Sequence, residues 1–258
     1  MKLTAENYYS LEANQEYFSV SQYKHFARCP AAALAEVKGE YIREKTTALL
    51  VGSYIDSYFE GKKSLELFKA ENPEIFKKDG SLKAEYIQAE EIIERIERDK
   101  LFMEYMSGKK QVIMTGEISG IPFKIKTDDL HRDKIVDLKI VRDFEDLRDS
   151  ERGLVPWFEY WGYDLQGAAY QEIARQNGKG TLPFYLAAAT KEKVTNLDVV
   201  HIPDEVMHFN LEKIQRDIVL FDAIKKGIVE PERCGKCDYC KATKVLSEPT
   251  EAEEYYLF

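Results

Sequence analysis

Three charged residues in the middle of the chain have the types and the spacing of a metal site. Asp137 and Lys139 lie two residues apart in IVDLKIV, an alternating segment that predicts a strand, so both side chains leave the same face. Asp128 lies near the end of the preceding alternating segment, IPFKIKTDDL, and a short hairpin would place it beside Asp137. Buried charges are costly unless they are paired or bound to a metal. A simple ion pair between Asp137 and Lys139 is the alternative.

Two carboxylates beside an amine are suited to a hard divalent cation and to the hydrolysis of a phosphodiester. Mg²⁺ prefers oxygen ligands and keeps waters and substrate phosphates, so Asp128, Asp137 and a main-chain carbonyl suffice from the protein. The metal can polarise a phosphodiester and supply hydroxide, while Lys139 orients the attacking water or offsets charge in the transition state. The four histidines have no spacing typical of metal ligands.

Two helical motifs extend this pattern. Gln166 and Tyr170 are four residues apart in QGAAY, so they share one face of a predicted helix. Asp56 ends the segment GSYID on a predicted helix far upstream. Together with Asp128 and the DLK motif that begins at Asp137, these residues resemble the PD-(D/E)xK nuclease superfamily. The resemblance is strongest to RecB-type nucleases and to phage exonucleases of the RecE-like kind, and it covers about residues 19–244.

The resemblance implies roles for the central residues. Asp128 and Asp137 would hold Mg²⁺ or Mn²⁺, the backbone carbonyl of Leu138 would be a further ligand, and Lys139 would be the catalytic lysine.

The resemblance also implies roles for the outer residues. Gln166 and Tyr170 would steady the lysine or grip the DNA backbone, with simple helix packing as the alternative. Asp56 stands where RecB-type nucleases have a histidine and is expected to ligate the metal, with a surface carboxylate as the alternative. Glu117 is a candidate supporting acid, but a surface turn residue in GEISG is the favoured interpretation.

The cysteines form a second candidate centre. Cys234, Cys237 and Cys240 form a C-x₂-C-x₂-C run, and Cys29 is the one other cysteine. Four thiols of this kind can hold an iron–sulfur cluster or a structural zinc ion. The distribution is similar to that of AddB-like nucleases, which implies a [4Fe–4S] cluster that joins the two ends of the chain. Four reduced thiols without a metal are the alternative.

The segments around these residues predict an α/β (α+β) fold. The resemblance implies a restriction-endonuclease-like core, in which a mixed central sheet is flanked by helices, with helical decoration at the N-terminus. We expect one nuclease domain over residues 1–258. It would comprise a mainly helical lead-in (1–107), a catalytic sheet and helix core (108–204), and a C-terminal helix with the Cys-rich segment and an acidic tail (205–258).

Individual elements follow from local signals. Ser19 is expected to cap a helix that Pro30 either divides or restarts as a residue of a first turn, and a buried helix is expected to pack closely at Gly52. Residues 81–106 predict one long amphipathic helix. IPFKIKTDDL and IVDLKIV predict an antiparallel hairpin, LPFYLAAAT and LDVVHIP predict further strands, and a helix is expected in each of the segments 162–180 and 204–227.

Composition limits the class of protein. The net charge of −9 excludes a generic nucleic-acid-binding protein, although residues 109–142 carry eight basic against five acidic side chains. No stretch reaches the length of a membrane span, and the first residues lack the apolar core of a secretory signal, so we expect a cytoplasmic protein. Four cysteines in 258 residues disfavour a disulfide framework.

These features predict a Mg²⁺-dependent deoxyribonuclease. The RecE-like resemblance implies an exonuclease that degrades double-stranded DNA from an end in the 5′→3′ direction and leaves single-stranded tails for recombination. It also implies a ring-shaped homo-oligomer and a single-strand annealing protein as partner, with the aromatic tail at residues 255–258 touching a neighbouring subunit. The alternatives are an endonuclease of the same fold and a non-catalytic DNA-binding module organised by the four cysteines.

Overall fold

The computed structural model describes residues 1–150, 152–247, 249 and 252, so the aromatic tail at 255–258 lies outside the described residues. The described part of the chain before residue 108 is helical, as predicted for the N-terminal region. It consists of α1 (Leu11–Glu16), α2 (Val20–Arg28), α3 (Pro30–Lys38), α4 (Thr47–Glu60), α5 (Lys62–Glu71), a 3₁₀ turn (Pro73–Ile75), α6 (Ala84–Glu97) and α7 (Lys100–Tyr105). None of the helices in the described residues has the length and apolarity needed to cross a membrane.

Helix caps decide where these helices begin. The Ser19 hydroxyl accepts a hydrogen bond from the N–H of Gln22 at 3.3 Å, which confirms the predicted cap of α2. The predicted single helix over 81–106 is wrong, because Asp99 interrupts it and caps α7 by accepting from the N–H of Phe102 at 3.0 Å. The predicted close packing at Gly52 is also wrong, since a Cβ added there meets no atom within 4 Å.

Within the described residues, five strands form one mixed sheet in the order β1-β2-β3-β6-β7. They are β1 (Lys109–Ile118), β2 (Ile121–Leu130), β3 (Ile135–Val141), β6 (Phe184–Thr190) and β7 (Leu197–Ile202), and a separate small hairpin joins β4 (Leu147–Asp149) to β5 (Gly153–Val155). The pair β3 and β6 is parallel and the other neighbours are antiparallel. The remaining helices are α8 (Trp157–Tyr160), α9 (Tyr163–Gln176), α10 (Asp204–Lys225) and α11 (Asp238–Ala242).

The predicted mixed sheet flanked by helices is therefore confirmed. Helices cover both of its faces, as the alternation in β3 predicts. Ile135 and Val141 join a core with α2, α3, α9 and α10, whereas Val136 and Leu138 join a second core with α4, α6 and α7. The parallel pairing of β3 with β6 requires a crossover between them, and α9 lies in that crossover.

Strand β1 is an element that the sequence did not reveal. Its sequence, KKQVIMTGEI, does not alternate cleanly, because many of its positions are only half-buried. It joins β2 through the two-residue turn Ser119-Gly120, whose φ values of 54° and 72° are both positive, as in the tight turns that match strand twist. Glu117 is therefore an exposed residue near the end of β1 rather than a turn residue.

Strands β2 and β3 separate soon after their turn. In the described residues they pair at Asp129↔Val136 and Leu130↔Ile135, and there the ladder ends. The edge of β2 that β3 leaves is taken up by Phe18, whose carbonyl accepts from the N–H of Lys124 at 2.8 Å. The next pair of positions along the two strands is Asp128 and Asp137.

Candidate active site

Asp128 and Asp137 lie next to each other where β2 and β3 separate, in agreement with the predicted hairpin. The Asp128 carboxylate accepts a hydrogen bond from the N–H of Leu138 at 3.0 Å, which replaces the backbone ladder at this point. Because the N–H and C=O of a strand residue point to the same edge, the carbonyl of Leu138 also faces β2. The predicted oxygen donors of Asp128 and Leu138 thus lie at the edge of β3 that faces β2.

Asp137 and Lys139 form an ion pair on one face of β3, as the spacing predicts. The Asp137 residue is 1% exposed. Burial raises the pKa of Asp137 to about 7, against the opposing effect of Lys139, and the nearby Asp128 raises it further. Burial disfavours the charged form of Lys139, but Asp137 and Asp128 outweigh it and raise the pKa of the lysine. Lys139 is therefore protonated at neutral pH.

Asp56 approaches the same carboxylates from the opposite face of the sheet. Helix α4 packs against β3, and Asp56 lines a small cavity together with Asp128 and Leu138. Burial raises the pKa of Asp56 well above its usual range, and the negative charge of Asp128 adds to the effect. The structure therefore brings this predicted residue to the site.

The donor set suits a hard cation. Three carboxylates and a carbonyl are oxygen donors, and a divalent ion would offset the burial and the repulsion that raise the pKa values of Asp56 and Asp137. Gln111 lines the same small cavity, and its Oε1 is buried without a donor among the described residues. Waters or substrate oxygens would complete the shell of such an ion.

Gln166 and Tyr170 share one face of α9, as their spacing predicts, and both contact the sheet. The Gln166 amide donates to Oδ1 of Asp137 at 2.7 Å, so it steadies a carboxylate and not the lysine. The Tyr170 hydroxyl donates to the carbonyl of Lys126 at 3.0 Å and so ties α9 to β2. Gln166 thus touches the site directly, whereas Tyr170 acts on the strand that carries Asp128.

Comparison with known proteins identifies this arrangement. A profile of the PDDEXK-like domain of unknown function (DUF3799) matches residues 19–243. The chain belongs to this family. The predicted membership of the PD-(D/E)xK superfamily is thereby confirmed.

A solved structure supports the same relationship for this PDDEXK-like chain. A crystal structure of a candidate exonuclease from Eubacterium rectale is 47% identical in sequence, with a TM-score of 0.96. The alignment covers 100% of the present chain and 99% of the other. The similarity confirms the restriction-endonuclease-like fold. The search of curated proteins found no match.

Sequence reasoning missed one aromatic residue, Tyr163, and one basic residue, Lys24, near the carboxylate site of this PDDEXK-like chain. The Tyr163 ring lies 4.9 Å from Lys139 Nζ and 5.2 Å from Lys24 Nζ, measured to the ring centroid. Tyr163 precedes Gln166 by three residues on α9, so helical spacing alone could have suggested it. Lys24 comes from α2, far away in the sequence, and nothing local points to it.

Gln111 is a further residue that sequence reasoning missed. Its Nε2 lies 3.4 Å from Oδ1 of Asp128, a long hydrogen bond. Its φ of 53° is in the left-handed region, which is costly for a residue other than glycine. No signal in the sequence predicts such a backbone conformation.

Glu117 does not support the carboxylate site. Its side chain is exposed, and its backbone N–H and C=O bond to the Gln176 side chain at 2.9 and 2.7 Å. The favoured expectation of a surface residue is therefore correct, although the residue is in a strand.

The four cysteines form a second centre in this PDDEXK-like protein, as predicted from their spacing. Their Sγ atoms all lie within 4.8 Å of one another, with 3.6 Å between Cys29 and Cys240 and 3.7 Å between Cys29 and Cys237. None of the four forms a disulfide. Backbone N–H groups bond to Cys234 Sγ and Cys237 Sγ at 3.4 Å.

A metal bound by the four cysteines would connect two distant parts of the chain. Cys29 lies between α2 and α3, whereas Cys240 belongs to α11 near the other end of the described chain. Both are buried, in a small apolar cluster that also contains Ala31 and Ala32. A cluster this small contributes little burial, so a shared metal would add substantially to the attachment of α11.

Proposed function

We propose that this PDDEXK-like chain is a divalent-metal-dependent deoxyribonuclease, and specifically an exonuclease that acts on the ends of double-stranded DNA. The observation that carries the proposal is the convergence of Asp128, Asp137 and Lys139 where β2 and β3 separate. The candidate exonuclease from Eubacterium rectale, 47% identical, supports the same activity. A single nuclease domain over residues 1–258 is part of this proposal.

The metal would be Mg²⁺ or Mn²⁺. The carboxylates of Asp56, Asp128 and Asp137 and the carbonyl of Leu138 would hold it, because they supply the oxygen donors that these ions prefer. When bound, such an ion polarises the phosphodiester and provides hydroxide at neutral pH.

The remaining roles belong to side chains of the protein. Lys139 stays protonated between Asp137 and Asp128, so its ammonium group would stabilise negative charge on the phosphate in the transition state. Gln166 would hold the Asp137 carboxylate in one orientation, and Tyr170 would fix β2 at Lys126. Both would be positioning residues.

Substitution of the central pair tests catalysis. We expect Asp137→Asn to abolish cleavage and Lys139→Met to lower kcat by about 10²–10³, the loss seen when one group that stabilises transition-state charge is removed. Lys193→Met, in the exposed turn between β6 and β7, is the matched control and should retain full activity. Wild-type protein that binds DNA yet never cleaves it with Mg²⁺ or Mn²⁺ would favour the alternative, a non-catalytic DNA-binding module organised by the four cysteines.

DNA topology tests the end requirement. An exonuclease leaves closed circular DNA intact and degrades the same DNA once it is linearised. Cleavage of the closed circle would establish the alternative, an endonuclease of the same fold. Labelling either the 5′ or the 3′ end of the linear DNA tests the proposed 5′→3′ direction and the single-stranded tails.

The partners are proposed from the RecE-like resemblance alone. A ring of subunits around DNA and a single-strand annealing protein are expected, with residues 255–258 as a contact between subunits. Light scattering of the full chain and of a chain ending at residue 252 tests this. A monomer in both cases would contradict the ring.

For the cysteine centre, we propose a bound metal that attaches α11 to the N-terminal helices. The arrangement of the four Sγ atoms suits either a zinc ion or a [4Fe–4S] cluster. Protein purified without oxygen distinguishes them, because a cluster absorbs visible light and contains iron, whereas zinc is colourless. Protein free of both metals would leave four reduced thiols.

A further inference from the structure

Two aromatic side chains between α8 and α9 are exposed. Tyr160 ends α8 and Trp161 follows it, and the two residues are 38% and 47% exposed. Their rings contact each other edge to face, with 5.0 Å between the centroids. Within the described residues, neither the Tyr160 hydroxyl nor the Trp161 indole N–H has a hydrogen-bond partner. This aromatic pair (Tyr160 and Trp161) thus presents apolar rings and unused polar groups to a ligand.

The backbone around the aromatic pair is anchored in the core. Trp157 is buried and packs its ring against those of Phe144 and Tyr163, with 5.3 and 5.9 Å between the centroids. The N–H of Trp161 donates to the carbonyl of Trp157 at 3.2 Å, which ties the exposed residue to the buried one. The pair is therefore held in place before a ligand binds, so binding would cost little conformational entropy.

The aromatic pair adjoins the proposed catalytic lysine. Lys24 donates from Nζ to the carbonyl of Trp161 at 2.8 Å, and the same Nζ lies 5.2 Å from the centroid of the Tyr163 ring. Lys139 Nζ lies 4.9 Å from that centroid. A strand whose scissile phosphodiester lies at Lys139 would therefore have a neighbouring nucleotide close to Trp161.

The size and chemistry of the aromatic pair indicate what it binds. A stable protein–protein interface takes about 800 Å² from each partner, which is far more than two partly exposed rings offer. A single nucleobase, in contrast, is about as large as an indole ring and stacks on it through its π-face. The indole N–H and the phenol hydroxyl also suit a ligand that has polar edges, as a base does.

Stacking on a side chain requires a base whose face is free. Within a duplex each base stacks on its neighbours, whereas the bases of an unpaired strand splay out and stack on aromatic side chains. A base that has left the duplex next to the scissile bond would therefore fit the aromatic pair, and a paired base would not.

We propose that Trp161, supported by Tyr160, stacks on an unpaired nucleobase of the strand that is bound at the carboxylate site. The proposal deepens the nuclease function and rests on it for the identity of the strand. Stacking does not depend on which base is present, because every base has a π-face. The aromatic pair would thus hold the strand without selecting its sequence.

Tryptophan fluorescence tests the contact separately from catalysis. The chain has two tryptophans, of which Trp157 is buried and Trp161 is exposed. A short single-stranded oligothymidylate is titrated into the protein in EDTA, so that no divalent metal supports cleavage. We expect the oligonucleotide to quench the emission of the wild type. It should leave the emission of Trp161→Phe, which comes from Trp157 alone, unchanged.

An abasic strand separates contacts to bases from contacts to phosphates. It keeps every phosphate of the oligothymidylate, so the wild type should bind it more weakly only because the bases are missing. Trp161→Ala should weaken the binding of oligothymidylate about 5- to 150-fold, the range for the loss of one base–aromatic stack, and should bind the abasic strand like wild type. The slope of log K against log salt should not change, because no phosphate contact is lost.

Two variants control for the loss of the side chain. Trp161→Phe keeps an aromatic face and should retain most of the affinity for oligothymidylate. Phe209→Ala removes a ring of α10 that is 69% exposed and should change neither affinity. Circular dichroism verifies that each variant is folded, and the exposure of Trp161 makes its substitution tolerable.

A folded Trp161→Ala protein that binds oligothymidylate like wild type would overturn the stacking proposal, and so would wild-type fluorescence that the oligonucleotide does not change. If Trp161→Ala instead converts a dimer into a monomer in light scattering and keeps its affinity for oligothymidylate, a second copy of the chain covers the aromatic pair and the proposal is wrong. Failure of the wild type to cleave DNA with Mg²⁺ or Mn²⁺ would contradict the nuclease function and would leave the binding results unaffected.

Discussion

The Gln166 amide donates a hydrogen bond to Oδ1 of Asp137 at 2.7 Å and thereby connects α9 to the strand that carries the proposed metal ligand. The bond leaves Oδ2 of Asp137 to its ion pair with Lys139. One carboxylate is thus held by two neighbours that come from different elements, so its orientation is set before any metal or DNA binds.

Replacement of Gln166 should lower Mg²⁺ affinity or kcat without unfolding the protein. We expect Gln166→Leu to lower Mg²⁺ affinity or kcat by about 10- to 100-fold, since partners of metal ligands typically contribute this much. Titration of activity against Mg²⁺ measures both quantities. Gln176→Leu, on the same helix but bonded to Glu117, is the control. Equal Mg²⁺ titrations for Gln166→Leu and wild type would contradict a positioning role.

Relief of backbone strain at Gln111 should stabilise the protein and weaken its binding of metal. Because Gln111 has a φ of 53°, which glycine adopts without strain, Gln111→Gly is expected to raise the free energy of unfolding by about 1 kcal/mol. The same change removes the amide beside Asp128, so Mn²⁺ affinity should fall.

Urea unfolding and calorimetric Mn²⁺ titration measure these two effects. Ser119→Gly, at the similar φ of 54° in the β1–β2 turn, is the control for metal affinity and should leave it unchanged. A variant less stable than wild type, with unaltered Mn²⁺ affinity, would show that the conformation of Gln111 has no part in the site.

Stability should increase with pH above neutrality because of Lys225. Its Nζ donates to the carbonyl of Tyr17 and to Gln22 at 3.1 and 3.0 Å, and burial lowers its pKa to about 7. Between about pH 7 and the usual lysine pKa near 10.4, the unfolded chain binds the proton and the folded protein does not, so stability rises with pH.

The contribution of one such group has a slope of up to about 1.4 kcal/mol per pH unit. Urea unfolding from pH 7 to pH 10 should therefore give a smaller increase in Lys225→Met than in wild type. Lys193→Met should match the wild-type increase. Parallel curves for wild type and Lys225→Met would mean that Lys225 remains charged in the folded protein.

Loss of one cysteine ligand should destabilise the chain end. We expect Cys240→Ser to lose the bound metal and to lower Tm by about 5 °C or more, which corresponds to about 2 kcal/mol for a protein of this size. Metal analysis and calorimetry measure the two effects. Addition of a chelator should shift the Tm of wild type but leave that of Cys240→Ser unchanged. A chelator effect of equal size in both proteins would place the responsible metal elsewhere.

The sequence by itself determined the elements whose signals are local. Alternation in IVDLKIV placed Asp137 and Lys139 on one face, i, i+4 spacing put Gln166 and Tyr170 on one helical side, and a short hairpin brought Asp128 to Asp137. The spacing of the three late cysteines likewise predicted a shared centre, which Cys29 joins. Each of these follows from the period of a strand or helix, which a few neighbouring residues define.

Tertiary structure alone decided which distant groups complete the site. Strand β1 was missed because its side chains are half-buried without alternation, and Gln111 depends on a backbone conformation that no residue type specifies. Lys24 lies near the ring of Tyr163 because α2 packs against α9. Such contacts depend on how elements pack against each other, and packing between residues more than a hundred positions apart leaves no periodic pattern in the sequence.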